Sequence, residues 1–226
     1  MPTMLITGAN RGLGLEFARQ YAADGWRVIA TCRDPAKAGD LKAISAVEIH
    51  ALDVADMAAG AALAQNLRGT AIDLLLNNAG VYGPKGQALG NLDPEAWLDV
   101  LRINSIAPLK LAEAFLPHLR AGKGKTAAFV TSLMGSIADN TSGHYYAYRS
   151  SKAALNAAVK SFAVDTSAEG LIAVLLHPGW VQTDMGGPNA PVTPRESISG
   201  MRKVLARVTQ KDSGGFFAYD GQRLPW

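Results

Sequence analysis

Tyr148 and Lys152 stand four residues apart at the start of an Ala- and Leu-rich run, which puts a phenol and an ammonium on one face of a helix. A phenol with an ordinary pKa of about 10 exchanges protons poorly at neutral pH, and a neighbouring ammonium favours its ionised form. Such a pair can hand a proton to an oxygen that is gaining negative charge, or remove one in the reverse direction. Tyr145 and Tyr146 are followed at the same spacing by Arg149 and Ser150, so Tyr148 is the candidate. With six tyrosines and ten lysines in 226 residues, one such pair arises by chance about one time in four, and the spacing needs support from the rest of the chain.

A second chemical feature lies near the other end. Thr7-Gly8-Ala9-Asn10-Arg11-Gly12-Leu13-Gly14 follows a short apolar run and opens a segment of helical period. Glycines there permit a tight turn and close approach of a pyrophosphate, whose charge is favoured by the free N–H groups of the helix start. An ordinary strand-to-helix turn is the alternative, but this one follows the first strand of an alternating chain, where a dinucleotide binds. The ribose is read at Thr31-Cys32-Arg33-Asp34. Asp34 could accept from a 2′-hydroxyl and favour NAD, yet it precedes Pro35 and also reads as a helix cap. Arg33 has no such structural use and, with Arg11, favours a 2′-phosphate, hence NADP (NADPH) over NAD.

Elements to position these groups are readable. Short β-rich runs alternate with longer helical stretches, the pattern of βαβ units. Strands are predicted at Met4–Thr7, Arg27–Thr31, Val47–Ala51, Ile72–Leu76, Ala127–Thr131, Leu171–Leu176 and Phe216–Tyr219. Most are apolar on both faces, so helices should cover both sides. The expected fold is α/β: a Rossmann-type doubly wound sheet of about seven parallel strands in three α/β/α layers. No linker divides residues 1–226, which predicts a single domain. The one long irregular stretch, with Pro188, Pro191 and Pro194, predicts a substrate loop near residues 184–200.

Composition narrows the classes. Hydrophobic residues make up 48% and charged residues 18%, enough for one substantial core. The net charge of +3 comes from scattered residues, with Lys123-Gly124-Lys125 and Arg202-Lys203 the nearest to clusters, so nucleic acid is not an expected partner. Apolar runs are strand-sized, so no membrane partner is expected, and without a secretory pattern at the start the expectation is a cytoplasmic protein. The lone Cys32 allows no internal disulfide, and no second histidine stands at ligand spacing from His144, so no metal site is expected.

In this order and over nearly the whole length, the motifs resemble those of the classical-type short-chain dehydrogenase/reductase family. Thr7-Gly8-x-x-x-Gly12-x-Gly14 is similar to its cofactor turn, Asp53-Val54 to its adenine contact, and Asn77-Asn78-Ala79-Gly80 to the motif that steadies the sheet beside the cofactor. Asn104 and Ser132 fall where the family keeps its catalytic asparagine and serine, completing a tetrad with Tyr148 and Lys152. Pro178-Gly179-Trp180-Val181-Gln182-Thr183 resembles the segment that holds the nicotinamide. The stretch Ser132–Asn156 and the ending Phe217–Trp226 resemble the C-factor-like branch. The resemblance implies hydride transfer between nicotinamide and a small-molecule carbonyl or alcohol. Ser132 would polarise the substrate oxygen, Tyr148 act as acid or base, Lys152 hold the ribose and tune Tyr148, and Asn104 order a relay water. Cofactor contacts are implied for Gly8, Asn10, Arg11, Gly12, Leu13, Gly14, Arg33, Asp53, Val54, Asn78, Ala79, Gly80, Tyr148, Lys152, Pro178, Gly179, Val181 and Thr183.

One spacing departs from the pattern: Ser132 and Tyr148 are sixteen apart, and Tyr145 lies nearer the usual register. Leu133, Met134, His144, Tyr145, Trp180, Met185 and Tyr82 are candidates to line the substrate pocket, a mixture suited to a small or apolar aldehyde or ketone. The branch also implies an alternative, an NAD(P)-binding signalling or regulatory protein. Another Rossmann enzyme, such as a methyltransferase, would need no Tyr-x-x-x-Lys. The family resemblance implies a possible homodimer or homotetramer.

Overall fold

Each of the seven predicted runs forms a strand, and all seven lie in one parallel sheet. The computed structural model describes residues Met1–Trp226. The strands are β1 (Thr3–Ile6), β2 (Arg27–Cys32), β3 (Val47–Ala51), β4 (Leu74–Asn77), β5 (Thr126–Val130), β6 (Ile172–His177) and β7 (Gly215–Ala218), in the order β3-β2-β1-β4-β5-β6-β7. The order reverses between β1 and β4, the switch point where a doubly wound sheet opens a crevice at its carboxyl edge. β4 starts later than the sequence pattern suggests, and the N–H of Ile72 is bonded to His118 O instead.

The helices are α1 (Gly12–Ala23), α2 (Gly39–Lys42), α3 (Met57–Asn66), α4 (Pro94–Leu101), α5 (Ala107–Ala114), α6 (Leu116–Ala121), α7 (Tyr146–Asp165) and α8 (Pro194–Arg207). Alternate strand residues face opposite layers. Met4 and Ile6 pack with Phe17 and Tyr21 of α1 and with Ile198, Met201 and Val204 of α8. Leu5 faces the other way, into a second cluster with Leu63 of α3, Leu111 of α5, and Leu155 and Val159 of α7. The result is a Rossmann-type three-layer α/β/α fold.

Two local features bear on the site. Between α4 and α5 the helix does not stop but widens into a π turn over Arg102–Ile106, and Asn104 and Ser105 are buried in it. Such bulges are rare and gather at functional sites. The irregular stretch ends earlier than residue 200, because Thr193 caps α8: its hydroxyl accepts from Glu196 N, the Glu196 carboxylate accepts from Thr193 N, and Pro194 holds the first helical position. Residues 194–200 are therefore helix, so the irregular stretch expected to run to about residue 200 ends at Thr193.

Candidate active site

The glycine turn leaves β1 at the switch point. Gly8 and Gly12 adopt left-handed backbone, with φ of 66° and 55°. A Cβ on Gly14 would lie 2.2 Å from Gly8 O and 2.7 Å from Asn78 Nδ2, so only glycine lets α1 start this close to the turn. Asn78 stitches the turn to the end of β4: its Nδ2 donates to Thr7 O at 2.9 Å and Gly8 O at 3.2 Å, while Thr7 Oγ1 accepts from the N–H groups of Asn78 and Ala79 at 3.0 Å. Asn10 and Leu13 are half-buried along the same turn, and Arg11 is exposed. Arg11 reaches across to Asp184 beyond Thr183, at 2.6 Å.

At the end of β2 the two competing residues separate by role. The Asp34 carboxylate accepts from Ala36 N at 3.0 Å and pairs with Lys37 at 3.3 Å, so it caps the short 3₁₀ turn Pro35–Lys37. Arg33 is exposed and lies outside every ion pair of the chain. Asp53 and Val54 follow β3 beside it, where Leu52 N bonds to Cys32 O.

Tyr148 and Lys152 lie on the buried face of α7, against the end of β5. The Ser132 hydroxyl lies beside the Tyr148 phenol and favours its ionised form. Ser132 Oγ accepts from Met134 N at 3.1 Å, which leaves the serine proton free for another acceptor. Lys152 Nζ donates to Val130 O at 2.9 Å and lies 5.9 Å from the Tyr148 ring centre. Burial pulls the lysine from 10.5 down to about 8 and pushes the tyrosine above 10, with Ser132 partly offsetting the latter. The expectation that Lys152 lowers the Tyr148 pKa is thus not what this geometry gives, because the interior disfavours both charges and Ser132 is the group that favours the phenolate.

Asn104 is wholly buried. Its Oδ1 accepts from Val81 N at 2.9 Å, and its Nδ2 donates to Val81 O at 2.8 Å and Ser151 Oγ at 3.0 Å. Its amide is therefore committed to bracing the loop after Asn77-Asn78-Ala79-Gly80 against α7. Gly80 lies beside it: a Cβ there would be 3.2 Å from Asn104 Oδ1 and 3.6 Å from Lys152 Nζ. Tyr82, in the same loop, packs against Tyr148 at a tilt, with centres 4.6 Å apart, and meets Tyr145 edge-on at 5.5 Å.

The segment after β6 closes the crevice. Gly179 turns with φ 84° against the Tyr219 ring, Pro178 O accepts from Ser197 Oγ at 2.6 Å, and Val181 is buried in a short bridge to Val192. Thr183 Oγ1 accepts from Gly186 N at 3.2 Å, and a Cβ on Gly12 would lie 3.6 Å from its methyl, which sets Thr183 over the glycine turn. The sequence-predicted site residues thus gather along one carboxyl edge. Sequence reasoning missed Ser151 and Asn156, although both sit on the Tyr148-Lys152 side of α7, and it missed the Arg11–Asp184 contact, which no spacing signals.

A family model described as short chain dehydrogenase matches residues 2–192. The chain belongs to the short-chain dehydrogenase/reductase family. It is an oxidoreductase with the fold of that family. The C-signal protein of Myxococcus xanthus is 48% identical over 165 residues, covering 73% of this chain and 99% of that one. The carbonyl reductase Sniffer of D. melanogaster superposes with a TM-score of 0.94 at 35% identity, covering both chains in full. An NADPH-bound carbonyl reductase from chicken fatty liver superposes with a TM-score of 0.93 at 36% identity, covering 100% of this chain and 99% of the other. No helix of this dehydrogenase/reductase is long and apolar enough to cross a membrane.

Proposed function

We propose that this enzyme is an NADPH-dependent reductase of small or apolar aldehydes and ketones. The observation that carries the reading is the buried Ser132–Tyr148 hydroxyl pair with Lys152 beside it, at the same sheet edge as the glycine cradle. The cradle fits a dinucleotide: backbone N–H groups at the α1 start, no side chain at Gly14, and a free cation at Arg33 for a 2′-phosphate. Gly8, Asn10, Arg11, Gly12, Leu13 and Gly14 would hold the pyrophosphate, Asp53 and Val54 the adenine, Asn78, Ala79 and Gly80 the inner ribose side, and Pro178, Gly179, Val181 and Thr183 the carboxamide. The bound nicotinamide supplies the hydride.

This chain's residues then manage the proton. Ser132 donates its single proton to the carbonyl oxygen, beside the phenol of Tyr148. Tyr148 protonates that oxygen as negative charge develops on it. Lys152, held by Val130 O, keeps a cation at the ribose side of the phenol. Asn104 fixes the loop through Val81, and Tyr82 walls one side of the reacting centre. Similarity to the NADPH-bound carbonyl reductase supports the nucleotide and the substrate class.

The experiment is a screen of NADPH oxidation across aldehydes, ketones and quinones, with Tyr148→Phe as control. Turnover that vanishes in the variant while NADPH still binds supports the reading; full activity in the variant overturns the mechanism. Arg33→Ala should weaken NADPH at least ~10-fold, in line with the loss of a charge-assisted contact, and leave NADH nearly unchanged. Preference for NADH in the unaltered protein would overturn the nucleotide assignment.

A second reading has one specific observation behind it, the 48% identity to C-signal: a nucleotide-binding signalling protein. Dinucleotide binding without turnover of any carbonyl would favour it.

A further inference from the structure

Three side chains of α7 reach the end of β5 and the turn that follows it. Lys152 Nζ donates to Val130 O at 2.9 Å, Tyr148 meets Ser132, and Asn156 holds both neighbours of that serine's turn. Thr131 Oγ1 donates to Asn156 Oδ1 at 2.7 Å, and Asn156 Nδ2 donates to Gly135 O at 3.4 Å. Residues 148, 152 and 156 recur every four positions and so share one helix face, with about 6 Å between successive anchors.

We propose that Asn156 is a positioning residue: by gripping Thr131 and Gly135, on either side of Ser132, it sets the contact between the Ser132 and Tyr148 hydroxyls. The proposal rests on the reading of Tyr148 as the proton-transferring group.

Geometry supports it at three points. The amide orientation is fixed, because Gly135 O can only accept and therefore faces Nδ2, which leaves Oδ1 for the threonine hydroxyl. The anchored turn has no slack, since a Cβ on Gly135 would lie 2.8 Å from Lys152 Cβ and 3.1 Å from Asn156 Nδ2. Burial is complete, with Thr131, Asn156 and Gly135 all in the interior, so no water competes for these bonds. A buried amide is costly unless bonded at both ends. Here both ends are spent on the two residues that bracket Ser132, whereas the helix could pack through an apolar residue at that position.

Asn156→Ala removes both contacts and Thr131→Val removes one without changing shape. Two readouts are needed. Tyrosine labelled at the ring carbon that bears the hydroxyl reports the surroundings of the Tyr148 phenol by NMR without any substrate; Tyr148→Phe assigns the signal and Ser132→Ala gives its position without the serine hydroxyl. Steady-state kinetics with NADPH give kcat, KM and their pH profiles. Both variants should move the Tyr148 signal toward its position in Ser132→Ala and lower kcat by about 10- to 100-fold, the range for a reacting group displaced by about 1 Å. The KM for NADPH should stay constant, and the alkaline limb of the profile, where Tyr148 loses the proton it must donate, should move to higher pH. The double variant should be no worse than Asn156→Ala alone, because one bond is shared, and Thr131→Ser should restore both readouts. A wild-type Tyr148 signal in folded Thr131→Val overturns the proposal, as does lost activity that follows lost thermal stability with the signal unmoved. Should Asn156→Ala fail to fold, Thr131→Val decides. Absence of turnover in the unaltered protein would refute the carbonyl-reductase reading, while the NMR signal would still test the brace.

Discussion

Replacing Lys152 by Met should make the protein more stable at neutral pH while removing its activity. Lys152 is buried at 5% exposure, and the interior pulls its pKa from 10.5 to about 8. At about 1.4 kcal/mol per tenfold change in proton affinity, keeping it charged at pH 7 costs the native state about 3 kcal/mol. Methionine has a similar apolar stem and no charge, but it leaves Val130 O without its donor, a loss of about 1 kcal/mol. The net gain is about 2 kcal/mol, or a rise in Tm of about 4 to 8 °C for a chain of this size. The pH dependence has a definite sign. Between pH 8 and 10.5 the unfolded chain holds the lysine proton and the native chain does not, so native stability rises with pH. Tyr148, raised above 10, works oppositely only above pH 10, where its contribution is lost. From pH 7 to 9.5 the lysine should therefore add about 2 kcal/mol to the unaltered protein, and the methionine variant should lack that rise. Urea unfolding at both pH values measures this. A variant no more stable than wild type at pH 7, together with a flat wild-type profile to pH 9.5, would refute the reasoning.

Gly14→Ala should cost at least about 3 kcal/mol, since relieving a 2.2 Å contact with Gly8 O adds overpacking to the loss of the Asn78 bonds; Gly39→Ala, which meets nothing within 4 Å, should be neutral in the same thermal melts. Burial holds His177 at about 4, against the pull of Asp220 and Asp139. Unfolding therefore takes up a proton as pH falls from 6.5 toward 4, and wild type should lose more stability between pH 7 and 5 than His177→Gln does in urea titrations. Asp184→Asn should change stability by less than about 1 kcal/mol, because the Arg11–Asp184 pair is exposed on both sides; a larger drop in calorimetry would show that this contact holds the loop.

What the sequence made legible was local in origin. Strands of four to six apolar residues announce themselves within about two positions, as β5 and β6 show, because both faces must be apolar in a sheet covered on both sides. The dual reading of Asp34 could be resolved for the same reason: its cap lies two residues ahead, at Ala36. The end of the irregular loop was within reach too, since Thr193-Pro194-x-Glu196 is a capping box in the sequence itself. What stayed hidden depends on partners far along the chain. Asn156 meets Thr131 25 residues away, and Arg11 meets Asp184 173 residues away. The π turn at Asn104 leaves no residue signature either; it becomes intelligible only once Val81 and Ser151 are seen to claim the amide.

The spacing of sixteen between Ser132 and Tyr148 shows how the two kinds of information combine. By register alone Tyr145 competes for the serine. In the fold it is left-handed, with φ 53°, half exposed, and sits just before α7. Gly143 and His144 are left-handed as well, at 66° and 56°, so three consecutive residues turn the chain before the helix starts. A run of this kind is unfavourable for residues with a Cβ and persists only where the surroundings impose it. Arg149 is what imposes it: its guanidinium donates to Gly143 O at 3.0 Å and Ser142 Oγ at 2.9 Å, and reaches Met134 O at 3.5 Å. Met134 belongs to the turn just after Ser132, so the same side chain ties the extra length of the loop to the serine's own turn. The longer spacing is absorbed by that left-handed run, outside the helix, and the first buried turn of α7 presents Tyr148, not Tyr145, to Ser132. Arg149, noticed in the sequence only as the residue that disqualified Tyr145, is the side chain that lets Tyr148 take its place.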